Sequence, residues 1–130
     1  MKFITSEWLK AAFEDIQLMK AISGKQELTG VSAFHAQQAV EKCFKAIFEE
    51  KGMVVPKIHD LIRLYRQLDN HIILNEDQIN LLMVINELYI DSRYPADLGL
   101  LPNGRPSVDE AREFLSFAEG IYESVVELVR

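Results

Sequence analysis

Residues 34–46 read Phe34-His35-Ala36-Gln37-Gln38-Ala39-Val40-Glu41-Lys42-Cys43-Phe44-Lys45-Ala46. Apolar side chains recur at Ala36, Val40, Cys43 and Ile47, one helical turn apart, and Phe44 and Phe48 widen that stripe. Ala39 and Ala46 flank the other side and are small enough for a neighbouring helix to approach closely. The strand alternative needs strict alternation, which this run lacks. A helix is therefore predicted over residues 32–51, ending at Gly52, where a glycine can adopt the left-handed conformation that stops a helix.

The same period continues outward in both directions. Trp8, Ala12, Ile16 and Met19 give a first helix over residues 6–22, with Thr5 or Ser6 as its cap. Gly24 and Gly30 bound the loop that follows. Beyond Pro56, a short third helix is predicted over residues 58–68, with Leu61, Leu64, Tyr65 and Leu68 as its apolar side. Asn75 with Gln78 reads as a capping box for a fourth helix that runs to about residue 94 and is ended by Pro95. Ile79, Leu82, Asn86, Ile90 and Arg93 share one side of it. Ser107 with Glu110 reads as a second capping box. It opens a fifth helix with the stripe Ala111, Leu115, Ala118, Tyr122, Val125 and Val129. The expectation is an all-α, up-and-down four-helix bundle with an additional short helix, five helices in total, in one domain spanning residues 1–130.

Composition narrows the functions such a bundle can have. Hydrophobic residues make up 48% of 130 residues, enough for one self-sufficient core. With 14 basic and 20 acidic residues the net charge is −6, which argues against unspecific binding to a phosphate backbone but leaves room for one small basic pocket. The single cysteine, Cys43, falls on the apolar stripe and reads as packing in a reducing compartment. The longest clean apolar run in the fourth helix, Leu81 to Ile85, is far below the ~20 residues of a membrane span. Glu7, Lys10 and Glu14 stand where a signal peptide needs an apolar stretch. The chain is predicted to be cytoplasmic, without a membrane partner.

Chemistry must come from polar residues at positions where a bundle favours apolar ones. Asp15 falls within the apolar arc of the first helix, where a carboxylate needs a partner. Glu41 and Lys45 are four apart with the acid first, the favourable order for a pair on a solvated helix face. His59 and Asp60 open the third helix, where an acid suits the unpaired amides. Arg93 shares a face with Asn86, Tyr89 and Ile90 beside the loop 95–106, and its planar fork suits phosphate or carboxylate. His35 and His71 lie in separate segments with no cysteine pair, so no zinc or other metal site is expected. No nucleophile elbow, P-loop or dinucleotide fingerprint occurs, and no cofactor is expected.

Four pieces in order make the chain resemble the HEPN family of small helical bundles. They are Trp8 with Ala12 and Asp15; Gln37-Gln38-Ala39-x-Glu41-Lys42-x-x-Lys45-Ala46; His59-Asp60-Leu61; and Asp91-x-Arg93-Tyr94-Pro95. The resemblance covers nearly the whole chain. It implies a bundle that commonly dimerises, with a cleft near the polar helix end. Many bacterial and archaeal members are encoded beside a small nucleotidyltransferase, and some such pairs act as toxin and antitoxin, the HEPN protein being a metal-independent ribonuclease. That activity is associated with an arginine followed, after four to six residues, by a histidine. Arg93 matches the arginine, but Leu98, Gly99 and Leu100 stand where the histidine would fall, and none follows Arg93 anywhere.

The expectation is therefore a non-catalytic HEPN protein that binds a nucleotide-like ligand, a small nucleotidyltransferase partner, or both. No residue is assigned as catalytic. Lys42 and Arg93 would meet phosphate, His59 and Tyr94 would pack on the base or orient the cleft, and Asp15 and Asp91 would hold the cations. The alternatives are a ribonuclease with a rearranged site using Arg93 and His59, and a pure protein-interaction module. Ala39 and Ala46, with Leu98, Leu100 and Leu101 of the loop, are left without partners, which predicts a homodimer with part of the loop at its interface.

Overall fold

The computed structural model describes residues 1–68, 70–92 and 104–130, and for residues 90–92 the backbone alone. Expectations for Arg93, Tyr94, the side chain of Asp91 and the leucines of the loop therefore fall outside the described residues. Among the described residues five helices form, α1 (Phe3–Ala21), α2 (Thr29–Glu50), α3 (Leu61–Gln67), α4 (Glu76–Ser92) and α5 (Val108–Val129). One short 3-10 turn, Gln26–Leu28, leads into α2. There is no strand among the described residues. The architecture is the expected up-and-down bundle with a short extra helix.

α2 is the central element and packs against α1, α3, α4 and α5. Its alanines explain how one helix serves four neighbours. Ala33, Ala36, Ala39 and Ala46 are buried, so adjacent backbones can close in on it, while Phe44, Ile47 and Phe48 fill the wider gaps. Met19, Leu61, Leu64, Leu82, Ile85, Phe114 and Ile121 complete the core. The sequence leaves Ala39 and Ala46 to face a second copy of the chain. In the fold both are covered completely by the chain's own helices, so they give no reason for a dimer.

The ends of the elements show where local signals suffice and where they do not. Both capping boxes form. Asn75 Oδ1 accepts from Gln78 N at 2.8 Å and Gln78 Oε1 accepts from Asn75 N at 2.9 Å. Ser107 and Glu110 exchange the same pair of bonds at 3.0 Å. Gly52 closes α2 at φ 70, as its position predicts.

The start of α1 departs from expectation. It begins at Phe3, so Thr5 and Ser6 lie inside the helix. The acceptor at its N-terminus comes instead from the far end of α2: Oε1 of Glu50 accepts from Lys2 N and from Thr5 Oγ1, each at 2.9 Å. α2 starts three residues earlier than predicted because the 3-10 turn feeds it, placing Gly30 in its first turn. α3 starts later than predicted. Asp60 is its cap, accepting from Ile62 N at 3.0 Å and Arg63 N at 3.1 Å, so His59 lies in the extended approach to the helix. No helix among the described residues is long and apolar enough to cross a membrane.

Candidate functional site

Positions 37, 41 and 45 stack along one face of α2, one turn apart. The spacing of Glu41 and Lys45 predicts a pair on a solvated face. The structure corrects this: both side chains are only 7% exposed. Burying an ion pair costs several kcal/mol of desolvation unless further hydrogen bonds complete it, and here they do. Glu41 Oε2 accepts from Lys45 Nζ at 2.9 Å. Glu41 Oε1 accepts from Gln37 Nε2 at 3.0 Å and from His59 Nδ1 at 3.0 Å. Gln37 Nε2 also donates to the carbonyl of His59 at 2.7 Å, and Gln38 Nε2 donates to Gln37 Oε1 at 2.7 Å. No buried side-chain nitrogen or oxygen among the described residues lacks a partner.

His59 is thus gripped at its backbone and at its ring. A second lock holds the chain just after it. Asn86 of α4 accepts from Leu61 N at 2.9 Å and donates to Asp60 Oδ1 at 3.2 Å, fixing the start of α3 against α4. A carboxylate can only accept, so Nδ1 of His59 carries the hydrogen. The other ring nitrogen, Nε2, has no hydrogen-bond partner among the described residues, and the side chain is 55% exposed. This is a histidine with one tautomer selected and a ring more than half exposed.

A second cluster lies toward α1. Asp15, nearly buried, receives His35 Nδ1 on Oδ1 at 2.8 Å and Lys42 Nζ on Oδ2 at 2.7 Å. Its place on the apolar arc is therefore met by two partners from α2. Cys43, beside Lys42 in sequence, is fully buried. Burial pushes its thiol well above the ordinary range and the charge of Asp15 adds to that, so it stays a protonated packing group.

Of the site residues expected from sequence, Asp15 and Lys42 are bonded to each other, and His59 belongs to the other cluster. No hydrogen bond or ion pair joins Lys42 to His59 among the described residues. The two clusters are linked through aromatic rings instead. His35 meets Phe34 at 5.3 Å between centroids, Phe34 meets Tyr89 at 5.4 Å, and Tyr89 meets His59 at 6.2 Å. Arg93, Tyr94 and the side chain of Asp91 lie outside the described residues. Sequence reasoning does not pick out Gln37, Glu41, Lys45 or His35 as bonded parts of a site. The available signal is the recurrence of Gln37, Glu41 and Lys45 at every fourth position beside the apolar stripe of the helix.

Beside His59 a cleft of about 410 Å³ opens between Trp8, Lys45, Val55, Pro56, Lys57 and His59. Lys45 Nζ lies 5.8 Å from the centroid of the Trp8 ring, tying α1 to the same spot.

This constellation sits in a frame that other proteins share. Residues 5–129 match the model of the HEPN domain. The chain belongs to the HEPN family. Two solved structures have this HEPN fold along nearly their whole length. The crystal structure of TT1696 from Thermus thermophilus is 26% identical, with 95% of this chain and 97% of that chain covered and a TM-score of 0.77. ST0689, an archaeal HEPN homologue, is 22% identical, with both chains covered over 100% of their length and a TM-score of 0.75. At that identity the second likeness is one of fold. No curated protein matches this HEPN chain.

Proposed function

We propose that this HEPN protein is non-catalytic and binds a nucleotide-like ligand, working as a cytoplasmic homodimer beside a small nucleotidyltransferase partner in a toxin–antitoxin-like module. The observation that carries the reading is His59, held on the buried Glu41–Lys45 pair and standing at the mouth of a cleft with two lysines in an acidic chain. Desolvating three charged or polar groups at one place on the central helix is costly, and the cluster both fastens the segment before α3 and fixes the His59 ring beside the cleft. In this reading Lys42, held by Asp15, and Arg93, oriented by Asp91, meet phosphate. Tyr94 and His59 pack on the base. The absence of any histidine after Arg93 in the sequence is the ground for calling it non-catalytic, because leucine or glycine cannot move a proton.

One observation favours a second reading. A carboxylate holding Nδ1 of a histidine, so that Nε2 carries the lone pair, is also how a general base is oriented. Glu41 and His59 have that arrangement. A metal-independent ribonuclease using His59 and Arg93 is therefore the alternative. The proposed function is tested by purifying the protein from its native cell and analysing what accompanies it by mass spectrometry. A nucleotide, or a small nucleotidyltransferase in fixed proportion, is the expected result. A protein free of both contradicts it.

A further inference from the structure

We infer that the cleft between the first turns of α1, the second half of α2 and residues 55–59 binds a small planar anion, an aromatic ring carrying a phosphate, with Trp8 as the platform for the ring and Lys57 as the counter-charge. This deepens the nucleotide reading above and rests on it; it shares His59 with that reading and adds Trp8 and Lys57, which that reading does not assign.

The charge balance of the cleft is the first ground. Lys45 is neutralised by Glu41 directly beneath it. Lys57 is exposed and has no hydrogen bond or ion pair among the described residues. No acid among the described residues lines the cleft. A chain of net charge −6 thus presents one uncompensated cation beside a histidine edge. The second ground is the wall. Trp8 is half-buried, and the ammonium of Lys45 lies near its ring, so the indole is held before any ligand arrives. Val55 and Pro56 supply apolar surface. The third ground is His59, whose Nε2 can accept from a base edge or, when the ring is protonated, donate to a phosphate oxygen. The room of about 410 Å³ falls among small-molecule sites and suits one nucleotide unit.

Trp8 is the sole tryptophan, so its emission reports on this cleft alone. The test titrates the full chain with adenosine 5′-monophosphate, adenosine and inorganic phosphate, following Trp8 fluorescence and, in parallel, heat. The monophosphate should change the emission saturably. Lys57→Ala, an exposed position whose loss leaves the melting temperature unchanged, should weaken that binding about five-fold while leaving adenosine unaffected. Trp8→Phe should retain calorimetric binding and Trp8→Leu should lose about ten-fold, since stacking on the ring is worth ~1–3 kcal/mol. Unchanged emission up to millimolar monophosphate, or equal affinity in Lys57→Ala, overturns the assignment. If ATP or GTP then gives binding heat with Trp8 silent, the cleft is wrong and the broader nucleotide reading stands. If neither method registers any nucleotide, both fall.

Discussion

Nδ1 of His59 lies 3.0 Å from Oε1 and 3.2 Å from Oε2 of Glu41, a carboxylate that also receives the ammonium of Lys45. The histidine comes from the approach to α3 and the acid from the middle of α2, so their bond fastens a connecting segment to the central helix. It also makes the polar cluster a unit whose members cannot be removed singly at low cost.

Replacing Glu41 by Gln should destabilise the protein by about 3 kcal/mol, because Lys45 is then left charged in a nearly closed site. The double change Glu41→Gln with Lys45→Met should recover most of that loss, since it removes the stranded charge. Urea unfolding of the three proteins measures both. A Glu41→Gln variant within about 0.5 kcal/mol of wild type would mean that the pair is effectively solvated.

Glu50 gives the fold a pH dependence of definite sign. The Lys2 backbone N–H, followed by the Thr5 hydroxyl, holds its carboxyl below the ordinary carboxylate range. A folded-state pKa below the unfolded one adds stability above the unfolded value, and that stability is lost as pH falls through the folded value. The stability difference between wild type and Glu50→Gln should therefore be present near neutral pH and shrink as pH drops from about 5 to about 3. Unfolding curves across that range check it, and a difference independent of pH contradicts it.

The reading as a non-catalytic protein predicts no cleavage of single-stranded RNA or tRNA in the presence of EDTA. Gel analysis of end-labelled substrates is sufficient. Cleavage that disappears in both Arg93→Ala and His59→Ala would promote the ribonuclease reading, with Glu41 as the group that orients His59.

Light scattering at micromolar concentration should give twice the 14.9 kDa chain mass. Because Ala39 and Ala46 are used inside the bundle, the surface of the dimer must lie elsewhere. A mass of one chain would remove the homodimer from the account.

The helices were legible because their signals are local. The Asn75–Gln78 and Ser107–Glu110 boxes and Gly52 each act within a few residues and form as read. The 3.6-residue stripes place the helices, but in α5 Phe114, Phe117 and Ile121 fill the core where Leu115 and Tyr122 were expected to. The start of α1 was not legible, since its acceptor is Glu50, brought in from the other end of α2. The same reason hid most of the site. Glu41 and Lys45 look like a surface pair until the segment carrying His59 is folded over them. Asp15 was marked by its apolar surroundings, but His35 could not be foreseen as a second partner for it, alongside Lys42.

The most direct measurement is a calorimetric titration of wild type and Arg93→Lys with ATP, GTP and a short single-stranded RNA. Lysine keeps the charge and loses the planar fork. The account predicts binding of a nucleotide by wild type, weakened at least about five-fold in Arg93→Lys, with an unchanged melting temperature. No binding by wild type, together with a large loss of stability in Arg93→Lys, would contradict it. Arg93 would then belong to the fold, and the protein would act through a partner surface.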